Sequence, residues 1–226
     1  MDISPLSDRQ IVASWHKNVT PWIQAVRDRQ IASREAVTNQ AILDTIGAYS
    51  LRSLLDVGCG EGWLVRAVAA QGLAAIGVDG IPGLIAAAQQ AGGGEFRVMD
   101  YEAIAAGALA LTVDGVVCNF SLFGEAIVEQ LFRAIPALLT ANGVFIVQTL
   151  HPVVACGNLP YRDGWRTGSW AEFSDAFTEP PPWYFRTIAS WVNLFHASGF
   201  RLLELREPLH PQTGQPASMI FVASRR

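Results

Sequence analysis

Three features of this 226-residue sequence predict an α/β fold built on a mostly parallel sheet. Short apolar runs alternate with stretches of helical period from residue 51 to residue 150. The first of those runs feeds a glycine-rich turn that opens a helix. Half of the residues are hydrophobic and 16% are charged, so there is enough apolar surface to cover a sheet on both faces.

The elements follow in order. The first fifty residues have a helical rhythm. Thr20 and Pro21 read as a hydroxyl cap and a first-turn proline. From there Ile23, Val26, Arg27, Ile31, Val37, Ala41, Ile42 and Ile46 carry an apolar stripe to Gly47. Residues 51–57 read as a buried strand, 58–62 as a tight glycine turn and 63–70 as a helix. The alternation continues with a strand at 73–78, an Ala-rich helix at 82–91 and a short strand at 95–99. Then come a strand at 113–118, a helix at 125–139 broken late by Pro136, and a strand at 143–150. Residues 151–185 break the rhythm with Pro152, Pro160, Pro180, Pro181 and Pro182. Nine of the 22 aromatic residues lie within the 31 positions 161–191. A stretch of this kind inside a compact domain is functional or disordered, and its aromatic content speaks against disorder. Helical period resumes at 187–198 and stops at Gly199. Strands at 200–205 and 219–223 follow, joined through Pro211, Gly214 and Pro216 as in a hairpin.

Composition narrows the function. Sixteen basic against 20 acidic residues give a net charge of −4, which offers a polyanion no footprint and argues against nucleic acid as a partner. The longest apolar stretch, 103–113, falls well short of the roughly 20 residues a membrane span needs. The opening Met-Asp-Ile-Ser-Pro has neither a basic start nor an apolar core of a leader. Cys59, Cys118 and Cys156 form no spacing pattern, so a reduced, cytoplasmic protein is expected. His16, His151, His196 and His210 are scattered without ligand spacing, and no metal is expected. His151 directly follows the fifth strand, at the edge where open α/β sheets bind ligands. There it reads either as a general base, with an ordinary pKa of about 6.5, or as a loop histidine bonded to backbone.

The sharpest signal is Asp56-x-Gly58-x-Gly60-x-Gly62. A strand feeding glycines that open a helix lets a ligand approach the main chain. A dinucleotide fingerprint would need its third glycine where Trp63 stands. An NAD-binding oxidoreductase therefore remains only an alternative, as does a non-catalytic cofactor-binding protein. Asp79 lies 19 residues after Gly60 at the end of the second strand. It reads either as a turn residue or as an acceptor for ribose hydroxyls. Asp100 and Tyr101 end the third strand, where Asp100 also reads as a helix N-cap.

The glycine stretch resembles motif I of the class I S-adenosylmethionine-dependent methyltransferases, and the wording LLDVGCGEG at 54–62 is among its commonest forms. The resemblance implies a Rossmann-like, doubly wound seven-stranded sheet whose last strand is antiparallel. It implies S-adenosyl-L-methionine as cofactor, with Asp56, Gly58, Cys59, Gly60 and Trp63 beside it. By the same resemblance Asp79 holds the ribose, Gly80 and Ile81 pack on the nucleoside, and Asp100 and Tyr101 meet the adenine. Asn119 and Phe120, in a segment similar to motif IV, border the methionine end. Family members that methylate amide or base nitrogens often carry N-P-P-Y or D-P-P-Y there. This chain reads Asn119-Phe120-Ser121-Leu122, a second argument against a nucleic-acid substrate. By the resemblance, residues 1–50 are expected to form a helical lid in which Trp22 closes over the site, while Arg34 reads either as reaching the methionine carboxylate or as part of a solvated face. Residues 51–150 would form the cofactor-binding half, 151–186 an aromatic insertion and 187–226 a terminal helix and hairpin, all in one methyltransferase domain. The expected reaction is methyl transfer to a small, partly apolar acceptor lined by Tyr161, Trp165, Trp183, Tyr184 and Phe185. Its by-product would be S-adenosylhomocysteine.

Overall fold

A computed structural model describes residues 6–226, so the leader reading at the first five residues lies outside the described residues. Two helices, α1 (Asp8–Lys17) and α2 (Val19–Arg27), precede a π-helical turn (Arg34–Thr38) that runs into α3 (Asn39–Gly47). The alternating half follows: β1 (Ser53–Val57), α4 (Trp63–Ala69), β2 (Ala74–Asp79), α5 (Pro82–Ala91) and β3 (Glu95–Val98). It continues through α6 (Tyr101–Ala105), β4 (Val113–Asn119), α7 (Ala126–Leu138) and β5 (Leu139–Thr149). The insertion holds α8 (Pro152–Ala155), β6 (Gly164–Arg166) and β7 (Trp183–Phe185), and the chain closes with α9 (Ile188–Ala197), β8 (Phe200–Arg206) and β9 (Met219–Arg225).

Seven strands form one sheet in the order β3-β2-β1-β4-β5-β9-β8. Strands β1 to β5 pair in parallel, and β9 runs antiparallel between β5 and β8. This is the doubly wound architecture with an antiparallel last strand that the sequence led us to expect. Both faces are covered, as helical crossovers between parallel strands require. On one face α7 and α9 bury an aromatic core in which Phe195 lies 5.0 Å from Phe132 and 5.4 Å from Phe221. On the other, α3 and α4 cover Leu54, Val117, Ile146 and Ile220 with Ile42, Ile46, Leu64 and Val68. Order reversal between β1 and β4 leaves a crevice at the carboxyl ends of those strands, where open sheets of this type bind ligands.

Two expectations need correction. The N-terminal stripe is not one helix from Thr20 to Gly47. Asn18 is the N-cap of α2, which leaves Thr20 and Pro21 within its first turn. The helix ends at Asp28, and Arg29 then adopts a left-handed φ of 55°. Arg27 leaves the apolar stripe to meet Glu61 and the Ala87 carbonyl. The aromatic insertion is also more than a loop, since β6 and β7 pair as a two-stranded antiparallel sheet. Strands of three residues show no periodicity in a sequence. They are held by the buried Arg166 guanidinium, 3.5 Å from the centre of the Phe185 ring and bonded to the Cys156 and Pro160 carbonyls.

Candidate functional site

The glycine turn is held rigidly by the neighbouring strand. Both Gly58 and Cys59 donate their N–H groups to the Val78 carbonyl, at 2.8 and 3.0 Å. Gly60 donates to Asp79 Oδ2 at 2.9 Å, and Ile81 to Asp79 Oδ1 at 2.8 Å. One carboxylate thus ties the β1 turn to the start of α5. Gly58 has a φ of 78° and no room for a side chain, because a Cβ would collide with Ser121 and lie 2.7 Å from Tyr101 Oη. At Gly60 (φ 59°) a Cβ would find only the Trp22 indole nitrogen, 3.5 Å away, so its main chain is screened by one side chain from the lid. Cys59 turns its thiol into the core against Gly77, Val65 and Phe96, which leaves its backbone alone facing the turn.

Charge is concentrated beneath the turn. Asp56 is buried, and its Oδ1 has no hydrogen-bond partner. Burial, with repulsion from Asp79, pushes its carboxyl up to about 8 against the pull of Arg34. Burial also raises the Asp79 carboxyl, opposed by its two backbone bonds and by His16 of α1. Arg34 is half-buried, its guanidinium 4.8 Å from the Trp63 ring and 5.9 Å from the Trp22 ring. Desolvation lowers its pKa to about 10, although Glu61, Glu35 and Asp56 favour its charge. Trp63, at the position a dinucleotide fingerprint gives to glycine, is therefore the platform for a cation. Glu61 escaped the sequence reading because it occupies a spacer position of the motif. It is 1% exposed and bonds Arg66 Nη2 at 2.6 Å and Arg27 Nε at 3.2 Å, joining the turn to the lid.

The remaining strand ends are equally specific. Asp100 uses Oδ1 to cap α6 through the Ala103 N–H at 2.7 Å, and its Cβ lies where a Gly80 side chain would crowd it. Tyr101 donates its hydroxyl to the Ser121 carbonyl at 2.9 Å, and Ser121 donates to the Val57 carbonyl at 2.7 Å. The Tyr101 ring is thus a strut under Gly58, and burial raises its pKa well above the usual tyrosine value. Ile81 is buried at the N-cap of α5. At the end of β4, Asn119 accepts from Gln148 Nε2 at 2.8 Å. Phe120 follows with a φ of 51°, a strained conformation for a bulky residue and one that clusters at ligand sites.

The N-terminal helices and the 151–186 segment meet in one aromatic cluster. Trp15 lies 5.0 Å from Trp22 and 5.9 Å from Trp170, which packs 4.7 Å from Phe177. Fully buried Asn18 clasps Thr178, accepting its N–H at 2.9 Å and donating to its carbonyl at 2.8 Å. Of the five residues expected to line an acceptor pocket, the structure brings three together. Trp183, Tyr184 and Phe185 line a water-sized cavity of about 10 Å³ with Leu122, Thr149 and Trp191. Trp165 and Tyr161 lie outside that lining: Trp165 donates to Glu125 at 2.9 Å, and Tyr161 Oη accepts the Ile188 N–H at 2.9 Å. A cavity of about 410 Å³ opens instead between α1, at Gln10 and Ser14, and the segment carrying Thr167, Gly168 and Pro180. His151 is buried, with Nε2 2.7 Å from Glu207 Oε1 and Nδ1 without a partner. Among the described residues no helix is long and apolar enough to cross a membrane, and no cluster of three His, Cys, Asp or Glu could hold a metal ion.

These residues fit a cationic sulfur nucleoside. A buried carboxylate oxygen without a partner suits a positive charge, the side-chain-free glycine backbone permits close approach, and Asp79 keeps further lone pairs for a sugar. Residues 55–147 match a family model described as a methyltransferase domain. No curated protein matches the sequence. Among solved structures, an S-adenosylmethionine-dependent methyltransferase from Mesorhizobium loti is 24% identical, with a TM-score of 0.59 over 78% of this chain and 91% of its own. One from Clostridium acetobutylicum is 13% identical, with a TM-score of 0.67 over 92% and 98%. The glycopeptide N-methyltransferase MtfA, complexed with (S)-adenosyl-L-methionine, is 16% identical with a TM-score of 0.63 over 83% and 86%. At such identities the structural likeness is one of fold. Residues 55–147 thus match a methyltransferase domain, and the sheet built around them has the fold of the S-adenosylmethionine-dependent methyltransferases it resembles.

Proposed function

We propose that the protein methylates a small, partly apolar organic acceptor and releases S-adenosylhomocysteine. The observation that carries this reading is the glycine turn stapled to Asp79 and roofed by aromatic side chains of the lid and insertion. When bound, the cofactor supplies an electrophilic methyl group on a sulfonium. The chain then has to bind, align and exclude water, and alignment alone can contribute about 7–11 kcal/mol of barrier lowering. Asp79 accepts ribose hydroxyls with its remaining lone pairs. Ile81 and Gly80 pack on the nucleoside, and Asp100 and the Tyr101 backbone face the adenine. Asp56 faces the ammonium and Arg34 the carboxylate of the amino-acid end. Gly58, Gly60 and the Cys59 backbone allow close approach, while Asn119 and Phe120 border the methyl group. Trp22 closes the cap. Trp183, Tyr184 and Phe185 belong to the acceptor side, with Tyr161 and Trp165 bracing the insertion around them. His151, oriented by Glu207, serves as the base for an acceptor that must lose a proton.

The acidic net charge and the motif IV departure favour a small acceptor over nucleic acid, and three buried thiols suit the cytoplasm. One domain of four segments, with the boundaries given above, completes the reading. Removing residues 160–182 tests the division of labour. S-adenosylhomocysteine should still bind by calorimetry, while turnover in a panel of small phenols, amines and carboxylates is lost. Equal loss of both would contradict the assignment.

A further inference from the structure

A relay of amide hydrogen bonds at the ends of β4 and β5 determines which way Asn119 faces. The Thr38 carbonyl can only accept a hydrogen bond, and Gln148 Nε2 donates to it at 3.0 Å. Gln148 Oε1 in turn accepts from Ser218 Oγ at 3.3 Å, so both ends of this buried amide are pinned. The second Nε2 hydrogen then points to Asn119, at 2.8 Å, and the atom it meets must be the oxygen. Because Oδ1 is turned to Gln148, the Asn119 Nδ2 group is directed away from that bond. Asn119 pairs in register with Gln148, and Val117, two residues earlier and on the same face, pairs with Asp56. Asn119 Nδ2 has no protein partner among the described residues. Asp56 Oδ1 on that same face is likewise unpartnered. Thr38, which anchors the relay, ends the π-helical turn that Arg34 begins.

We propose that Gln148 is a positioning residue that presents Asn119 as a hydrogen-bond donor to a carboxylate, that of the amino-acid end of the cofactor. One sheet face would then hold an acceptor for an ammonium, at Asp56, and two donors for a carboxylate, at Arg34 and Asn119. An α-amino acid is complementary to that set. With Oδ1 held by Gln148, the hydrogens that Asn119 has to offer are those of its Nδ2 group. The inference rests on the methyl-donor reading above, and two ligands separate their failures. S-adenosylhomocysteine carries the amino-acid end, whereas 5′-methylthioadenosine has the same nucleoside and thioether without it.

Asn119→Asp keeps the bond from Gln148 while replacing the donor with a negatively charged acceptor, and Gln148→Met removes the relay. Calorimetry should find S-adenosylhomocysteine weakened about tenfold or more in both variants, with 5′-methylthioadenosine changed less than twofold. Equal losses for the two ligands would mean general damage at the strand ends and would overturn the proposal. Unchanged S-adenosylhomocysteine affinity would also overturn it, because the donor would then face the acceptor or solvent. Should Gln148→Met not fold, Asn119→Asp decides alone, being at a half-buried position. Wild-type protein that binds neither ligand overturns the methyl-donor reading together with this one.

Discussion

Asp79 does two tasks with one carboxylate. Its oxygens hold the Gly60 and Ile81 N–H groups, and their outward lone pairs remain for a sugar. Asp79→Ala should weaken S-adenosylhomocysteine binding by about 1–3 kcal/mol, the usual loss for hydrogen bonds to a charged partner. Unchanged affinity by calorimetry would remove Asp79 from the site. Asp56 predicts a pH signature. Its carboxyl is raised from 3.8 to about 8 in the fold, so the native state keeps a proton that the unfolded chain gives up. Its contribution to stability is therefore full below about pH 4 and declines as pH rises through 8. Binding runs the other way, since a cation beside Asp56 favours the carboxylate. S-adenosylhomocysteine should bind with proton release at pH 6–7, and its affinity should climb toward pH 8 and then level off. Calorimetry in two buffers of different ionisation enthalpy measures that proton directly.

At the level of elements, three of the contacts that fasten the N-terminal helices bear on the proposed site. Asp8 accepts from the Glu125 N–H at 2.8 Å at the start of α7, Asn18 clasps Thr178, and Arg27 meets Glu61. Trp22 screens Gly60, so under the proposed reading ligand entry requires these helices to move. Asn18→Ala removes two hydrogen bonds to the insertion and should speed S-adenosylhomocysteine dissociation in stopped-flow traces more than it lowers the melting temperature. A pure stability loss with unchanged dissociation would mean that the clasp does not gate the site. Glu61→Ala strips a buried carboxylate from two arginines, each partly exposed. It should destabilise the protein by on the order of 2–4 kcal/mol in urea titration.

Across the whole molecule, the site depends on the aromatic core packed beneath its sheet. Phe195 sits among Phe132, Phe145, Phe200 and Phe221, within 5.0 to 6.0 Å of each ring centre. Phe195→Ala should cost about 3–5 kcal/mol of stability. The fraction that remains folded should bind S-adenosylhomocysteine normally, and a changed affinity would mean that the aromatic layer supports the crevice directly. The alternation of apolar runs and helical stretches was enough to place all seven strands of the main sheet, because burial on both faces of the central strands, and on one face of β8, writes itself into the residue pattern. Asp56, the glycines and Asp79 were legible for the same reason, being local backbone requirements at fixed spacing. Glu61, Gln148 and Glu207 were not, since each acquires its role from a partner distant in the chain or brought in by folding. Nor did the stripe from Thr20 to Gly47 reveal its break at Arg29, since apolar spacing registers a face and not the continuity of the helix behind it. What the sequence determined by itself was therefore the sheet and the glycine turn at its carboxyl edge. Only the tertiary structure decided how the lid joins the insertion, where Arg34 rests and which way Asn119 faces, because hydrogen-bond direction depends on groups that meet only when distant segments pack together.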